Sequence, residues 1–218
     1  NRDVKMVRKI AEKVPDEQLH KDLDKYRQQA IGFGATDAKV IATDMVLIDE
    51  RVRAKCSTPL CGCYDTNANC PPHAPNLDFT RKLVKNFRYA IFIRLGVLSD
   101  EAAGNKMQNE GLPGPAYLRN YEIVSKIESA AFYDGYHLAV GFAGGPCNII
   151  LCHNDECSAL ILGQSCRHPL KSRHSMEGVG MDVFSMAIKV GWDIYPIGRV
   201  SQPSEVPCAS RMGLILIY

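Results

Sequence analysis

Eight of the chain's nine cysteines fall into two short stretches. The first, KCSTPLCGCYDTNANCPPHAPN over residues 55–76, holds Cys56, Cys61, Cys63 and Cys70. The second contains Cys147, Cys152, Cys157 and Cys166. Disulfide cysteines usually staple distant segments, whereas metal ligands come in tight local groups, so the clustering points to metal. Ligation by free thiolates implies a reducing compartment, and the cytoplasm is the expected location. Zinc ribbons favour CxxC pairs, because two thiolates on one tight turn fit a single tetrahedral ion. Neither stretch contains such a pair: the gaps are four, one and six residues in the first and four, four and eight in the second. Wider gaps suit a larger object, and a [4Fe–4S] cluster is held by four thiolates from loops of this general kind. One or two such clusters are therefore expected, with zinc as the alternative cofactor.

The neighbouring residues fit a loop that wraps a charged group. Pro71 and Pro72 lack an amide hydrogen and turn the chain away after Cys70, and Pro146 does the same before Cys147. Gly144 and Gly145 allow close backbone approach. Helices expected to start near Leu77 and Met176 would direct their positive ends toward bound thiolate. His73 and His168 read as hydrogen-bonding partners of the ligands rather than ligands, and nothing selects His153 or His174. Arg167, Lys171 and Arg173 would offset the negative charge of a cluster. Glu177 reads as a charge at a helix start, and Asp182, too far along that helix, reads only as exposed. Tyr64 and Trp192 read as packing residues, and the isolated Cys208 as an ordinary thiol. Cys63 is equivocal, because it follows Cys61 by one residue and an extended chain sends such neighbours to opposite faces. A turn at Gly62 would bring them together. Cys56, Cys61 and Cys70 are expected to converge on one point.

The elements that must position these loops alternate along the chain. Leu19, Leu23, Tyr26 and Ala30 stripe a helix over 17–32, followed by Gly34 and strands in DAKVIAT and MVLIDERV. After the first cysteine loop, Asn76 caps a helix to about Phe87 that carries Phe79, Leu83, Val84 and Phe87 inward, and YAIFIRLGV is a buried strand. Residues 99–116, rich in Gly, Asn, Pro and charge, read as a linker. A second helix over about 117–134, striped by Tyr121, Val124, Ile127 and Ala131, leads through Gly135 to a strand in YHLAVGFAG. After the second cysteine loop come a helix capped by Ser175 with Val179, Val183, Ala187 and Val190 inward, a strand in WDIYPIGRV, and a last strand in GLILIY. The order helix, Gly, strand, cysteine loop, helix, strand thus occurs twice. The expected class is α/β (mixed α+β), with pseudo-repeated units at 1–98 and 117–218 packed as one compact body.

Composition removes several classes of function. A net charge of +2 gives no electrostatic case for nucleic acid. The longest apolar runs fall far short of the roughly 20 residues needed to span a bilayer, and no basic-then-apolar secretory segment opens the chain. GFAGG lacks dinucleotide spacing, and no glycine-rich phosphate loop follows a strand.

The pattern KC-x-x-P-x-C-x-x-Y-x-x-N-x-x-CPP, read from Lys55 to Pro72, resembles an uncharacterised family of cysteine-rich predicted metal-binding proteins, domain of unknown function 2284. AGGPC and CRHPLKSRHSMEGVGMDVF in the second half are similar to the same family. The resemblance implies metal binding, a setting mostly among anaerobes, and ligand roles for Cys56, Cys61, Cys70, Cys147, Cys152, Cys157 and Cys166; Cys63 is an addition here. Three functions remain open. The favoured one, which demands least beyond the thiolates, is electron transfer to a redox partner protein through one or two clusters. The others are an enzyme whose open iron binds a small substrate as a Lewis acid, and a structural zinc module.

Overall fold

The computed structural model describes residues 7–103, 115–198 and 200–218. Its centre is a five-stranded sheet of β1 (Asp37–Ala42), β2 (Tyr89–Val97), β3 (Val140–Ala143), β4 (His174–Ser175) and β5 (Ala209–Leu216), in the order β1-β2-β5-β3-β4. Neighbours run antiparallel except β3 and β4, which are parallel. β2 and β5 lie inside the sheet with both faces covered, which is why they read as almost unbroken apolar runs. Their side chains still alternate: Ile91, Ile93, Leu95 and Ile215 enter one core cluster, and Ala90, Phe92, Leu214 and Leu216 the other.

Two long helices cover the first face. In α1 (Asp16–Gly32), Leu19, Leu23, Tyr26 and Ala30 recur at helical spacing and are buried. Beyond its C-cap at Phe33, Gly34 takes a left-handed φ of 106° that turns the chain toward β1. The other helix, Pro115–Tyr133, buries Tyr121, Val124, Ile127 and Ala131. The opposite face is covered by Leu77–Lys85 and Val183–Lys189 together with Met176, Met181 and Trp192. With the shorter helices Glu50–Ser57, Ser99–Ala102 and Cys147–Cys152, the described residues contain seven helices, numbered from here in chain order: α2 (Glu50–Ser57), α3 (Leu77–Lys85), α4 (Ser99–Ala102), α5 (Pro115–Tyr133), α6 (Cys147–Cys152) and α7 (Val183–Lys189). The class is mixed α+β. Among the described residues no helix is long and apolar enough to cross a membrane.

Several expected elements differ. MVLIDERV is no strand beyond a single bridge from Ile48 to Met181; Asp49 instead caps α2 by accepting from the Arg51 amide. The helix expected from Ser175 begins only at Val183. Ser175 ends β4, and Asp182 is the cap, accepting from the Ser185 amide at 3.1 Å. That gives Asp182 the role its sequence position did not suggest. Residues 192–198 form no strand: Trp192 is buried against Phe92 and donates from Nε1 to Asp37 Oδ2 at 2.7 Å. Phe79 on α3 is exposed rather than inward. Of the expected linker, Ser99–Ala102 forms α4, Pro115 opens α5, and residues 104–114 lie outside the described residues.

Candidate metal centres

The first cysteine set closes on a cavity of about 250 Å³ lined by Cys56, Cys61, Cys63 and Cys70. Cys56 comes from the last turn of α2. α2 is held by Arg53, whose Nη1 donates to the carbonyls of Pro75 (3.0 Å) and Gly178 (2.6 Å). After α2 the chain turns back, with the Cys61 amide donating to Cys56 O (3.0 Å) and the Tyr64 amide to Cys61 O (2.9 Å). This turn carries Cys61 and Cys63 to the same cavity, and the Cys63 amide donates to Cys61 Sγ at 3.5 Å. Asp65, not Gly62, supplies the left-handed residue of the loop, and its amide donates to Pro71 O at 2.7 Å. The far wall comes from the second half of the chain: Gly145, Pro146, Ser175, Glu177 and Gly178. Two α5 side chains seat that wall, Asn120 accepting from the Gly144 amide (2.9 Å) and Tyr121 donating to Gly145 O (2.7 Å). A Cβ on Gly144 would stand 2.8 Å from Met212 O, so this close approach requires glycine.

The second set lines a neighbouring cavity of about 200 Å³ with Cys147, Cys152, Cys157 and Cys166. Cys147 and Cys152 begin and end α6, which His153 terminates in a left-handed conformation. Cys157 precedes a short turn whose Ser158 hydroxyl donates to Ser165 O (2.8 Å), bringing the loop's ends together. The His168 amide donates to Cys166 Sγ at 3.3 Å, and Asn69 Nδ2 donates to Cys147 Sγ at 3.3 Å. Each cavity exceeds several times the roughly 30 Å³ that one water occupies in the liquid.

Burial favours the neutral thiol at Cys56, Cys63 and Cys70 in the first cavity and at Cys147 and Cys152 in the second. Burial, with smaller contributions from neighbouring thiols, pushes Cys63 up to about 11 and Cys70 up to about 12. Burial also raises Cys56, Cys147 and Cys152. Hydrogen bonds act in the other direction: from Asn67 at Cys70, from Asn69 and Ser172 at Cys147, and from Arg167 at Cys152. Arg167 thus acts on a thiol of the second set, whereas Lys171 and Arg173 pair with Glu122 and Glu128.

All eight clustered cysteines therefore line one of two cavities, four in each, and all nine are free thiols. Cys56, Cys61 and Cys70, expected to converge on one point, line the first cavity together. Among the described residues, no three His, Cys, Asp or Glu side chains are placed to hold one metal ion. Four cysteine thiols in the wall of each cavity are the soft donors that a metal or a metal cluster takes. Cys208 lies apart, 3.9 Å from Arg94 Nη2. His73 pairs with Asp65 (2.7 Å), and His168 reaches the second set through its backbone. Tyr64 lines the first cavity.

Other wall residues were not legible as such in the sequence. Glu177 opens a single 3₁₀ turn, Glu177–Val179, and there also stands in the first cavity's wall, its Oε2 accepting from the Ser175 hydroxyl at 2.7 Å. Asn67, Asn69, Asn148 and Ser172 form the polar partition between the cavities. Only Asn67 carried a signal, its fixed place between Tyr64 and Cys70 in the first motif.

No curated protein and no solved structure matches the chain. The family described as predicted metal-binding protein (DUF2284) matches residues 39–217, from β1 to the residue after β5, and so takes in both cysteine sets. The chain belongs to this family of predicted metal-binding proteins.

Proposed function

We propose that the chain is an iron–sulfur protein, binding a [4Fe–4S] cluster at each cysteine set and serving electron transfer to a partner protein. The observation that carries this reading is the pair of adjoining cavities, each lined by four cysteines. Cys56, Cys61, Cys63 and Cys70 would hold one cluster, and Cys147, Cys152, Cys157 and Cys166 the other. When bound, such a cluster supplies one-electron oxidation and reduction. The chain's own groups would tune it. Donation to sulfur from the Cys63 and His168 amides and from Asn69 stabilises added negative charge and raises the potential. Burial of Cys70 and Cys147 keeps water from the inner side of each set. Leu60 and Leu162, both exposed beside the loops, offer apolar contact to a partner at the outer side.

Anaerobic purification tests this reading. Iron and acid-labile sulfide in the purified chain, with visible absorption that bleaches on reduction, are expected. Colourless protein carrying stoichiometric zinc would sink it in favour of a structural zinc module.

One observation favours a second reading at the first set. Glu177 places a carboxylate in the same wall as four thiols, where it could handle a proton of a small substrate bound at an open iron. Spectral change on adding small anionic or thiol ligands would favour that enzyme over a pure electron carrier.

A further inference from the structure

The two cavities share a partition, and two peptide junctions straddle it. Asn69 lines the second cavity while its neighbour Cys70 lines the first; Pro146 lines the first while Cys147 lines the second. Buried amides join the two junctions. Asn67, without solvent exposure, donates from Nδ2 to Asn148 Oδ1 (3.1 Å), and Asn148 donates back to Thr66 Oγ1 (3.2 Å). Asn67 Oδ1 accepts from the Asn69 amide (3.0 Å) and lies 3.5 Å from Cys147 Sγ. Asn69 Nδ2 donates to both Cys147 Sγ (3.3 Å) and Ser172 Oγ (2.5 Å). A thiol of the second set is thus held by a side chain of the first loop, one residue from a thiol of the first set.

An amide donating to a thiolate favours the charged form and fixes where the sulfur points. We propose that the two cysteine sets form one coupled binding unit, with Asn69 as the positioning residue for Cys147, so that each set holds metal more firmly when the other is loaded. This rests on reading both sets as metal centres. Fixing Cys70 fixes the peptide that carries Asn69, and Asn69 in turn aims Cys147. In the other direction, fixing Cys147 fixes Pro146 in the wall of the first cavity and Asn148 against Asn67. Coupling between binding free energies is necessarily reciprocal, so both directions must show the same factor. Partners that orient ligands in this way typically govern about 10–100-fold in metal affinity.

Anaerobic reconstitution with ferrous iron and sulfide, followed by timed removal with a chelator, tests the coupling. Cys56→Ser with Cys70→Ser disables the first set; Cys157→Ser with Cys166→Ser disables the second. In each case the surviving set should lose iron about 10–100-fold faster than in the parent chain. Asn69→Ala should produce the same loss at the second set without removing any thiol. Asn69→Asp keeps the shape but has no donor for sulfur, so it should behave like Asn69→Ala. Unfolding of the metal-free variants, followed in parallel, should match the parent and so separates positioning from a damaged fold. Parent-like iron retention in Asn69→Asp, or in the surviving sets, overturns the coupling and leaves two independent centres standing. A parent chain that takes up no iron at either set overturns the two-centre reading and the coupling with it.

Discussion

Cys63 follows Cys61 by one residue, and in an extended chain their side chains would diverge. The backbone turns between them instead, closed by the Tyr64 amide on Cys61 O, so both line the first cavity. Cys63→Ser is therefore expected to lower the iron retained per chain and to remove the first set's contribution to visible absorption. Full retention with an unchanged spectrum would make Cys63 a bystander and leave a position for an external ligand. The raised thiols make a second prediction. Cys63 and Cys70, pushed up to about 11 and about 12 by burial, keep their protons at neutral pH, and metal must displace them. Metal uptake should strengthen as pH rises, read from binding titrations across neutral to mildly alkaline buffer. In the metal-free chain the same shift acts oppositely on stability. A folded thiol raised above its unfolded value near 9 contributes stability that is fully present below that pH and lost as pH rises through 11 to 12. Flat stability over that window would contradict the burial of these thiols.

At the scale of elements, α5 can lie close to the sheet because two strands offer glycine beneath it. A Cβ on Gly213 of β5 would stand 2.6 Å from Val124 Cγ2 and 3.1 Å from Ile93, and one on Gly141 of β3 would stand 2.5 Å from Val124 Cγ1. Gly213→Ala should cost about 1–3 kcal/mol in chemical denaturation, since β-branched Val124 has little freedom to move aside. An unchanged midpoint would mean that α5 shifts outward without penalty. The elements legible in the sequence were those with a strong period. α1 and α5 show their stripes, and β2 and β5 show runs bounded by turns, because each buries a continuous face. α2 buries none of its residues, so it has no stripe; it forms because Asp49 caps it and Arg53 ties it to residues far along the chain. Residues 192–198 look like a strand because they are apolar and aromatic, yet Trp192 is spent on packing and on Asp37 rather than on a ladder. The same division holds at the centres. Cysteine type and spacing are local and were legible, whereas the positions of Asn69, Ser172 and Glu177 depend on loops approaching across the fold.

For the whole molecule, strands from both halves of the sequence share one sheet, joined where β2 pairs antiparallel with β5. The first-face helices are fastened to each other by buried charge. Asp22 on α1, 2 % exposed, accepts from Arg8 Nη2 (2.9 Å), Tyr136 OH (2.8 Å) and Lys25 Nζ (3.2 Å). Lys25 also pairs with Asp134 just beyond α5, and Tyr26 OH donates to Asp134 Oδ2 at 2.9 Å. Burial alone would raise the Asp22 carboxyl, but hydrogen bonds from Arg8, Tyr136, Gln18 and Lys25 together hold it well below the usual carboxylate range. A carboxylate depressed in the folded state contributes stability that is present above its unfolded value, near 3.8, and is lost as pH falls through the folded value. Asp22→Asn keeps the shape but leaves Arg8 and Lys25 facing an uncharged amide, and should destabilise the chain by about 3 kcal/mol at neutral pH. The difference between parent and variant should then shrink as the buffer is taken below pH about 4, because the parent alone loses the charge. Urea denaturation of both proteins across that range measures it, and a difference that stays constant with pH would show that Asp22 is no better partnered in the folded chain than in the unfolded one.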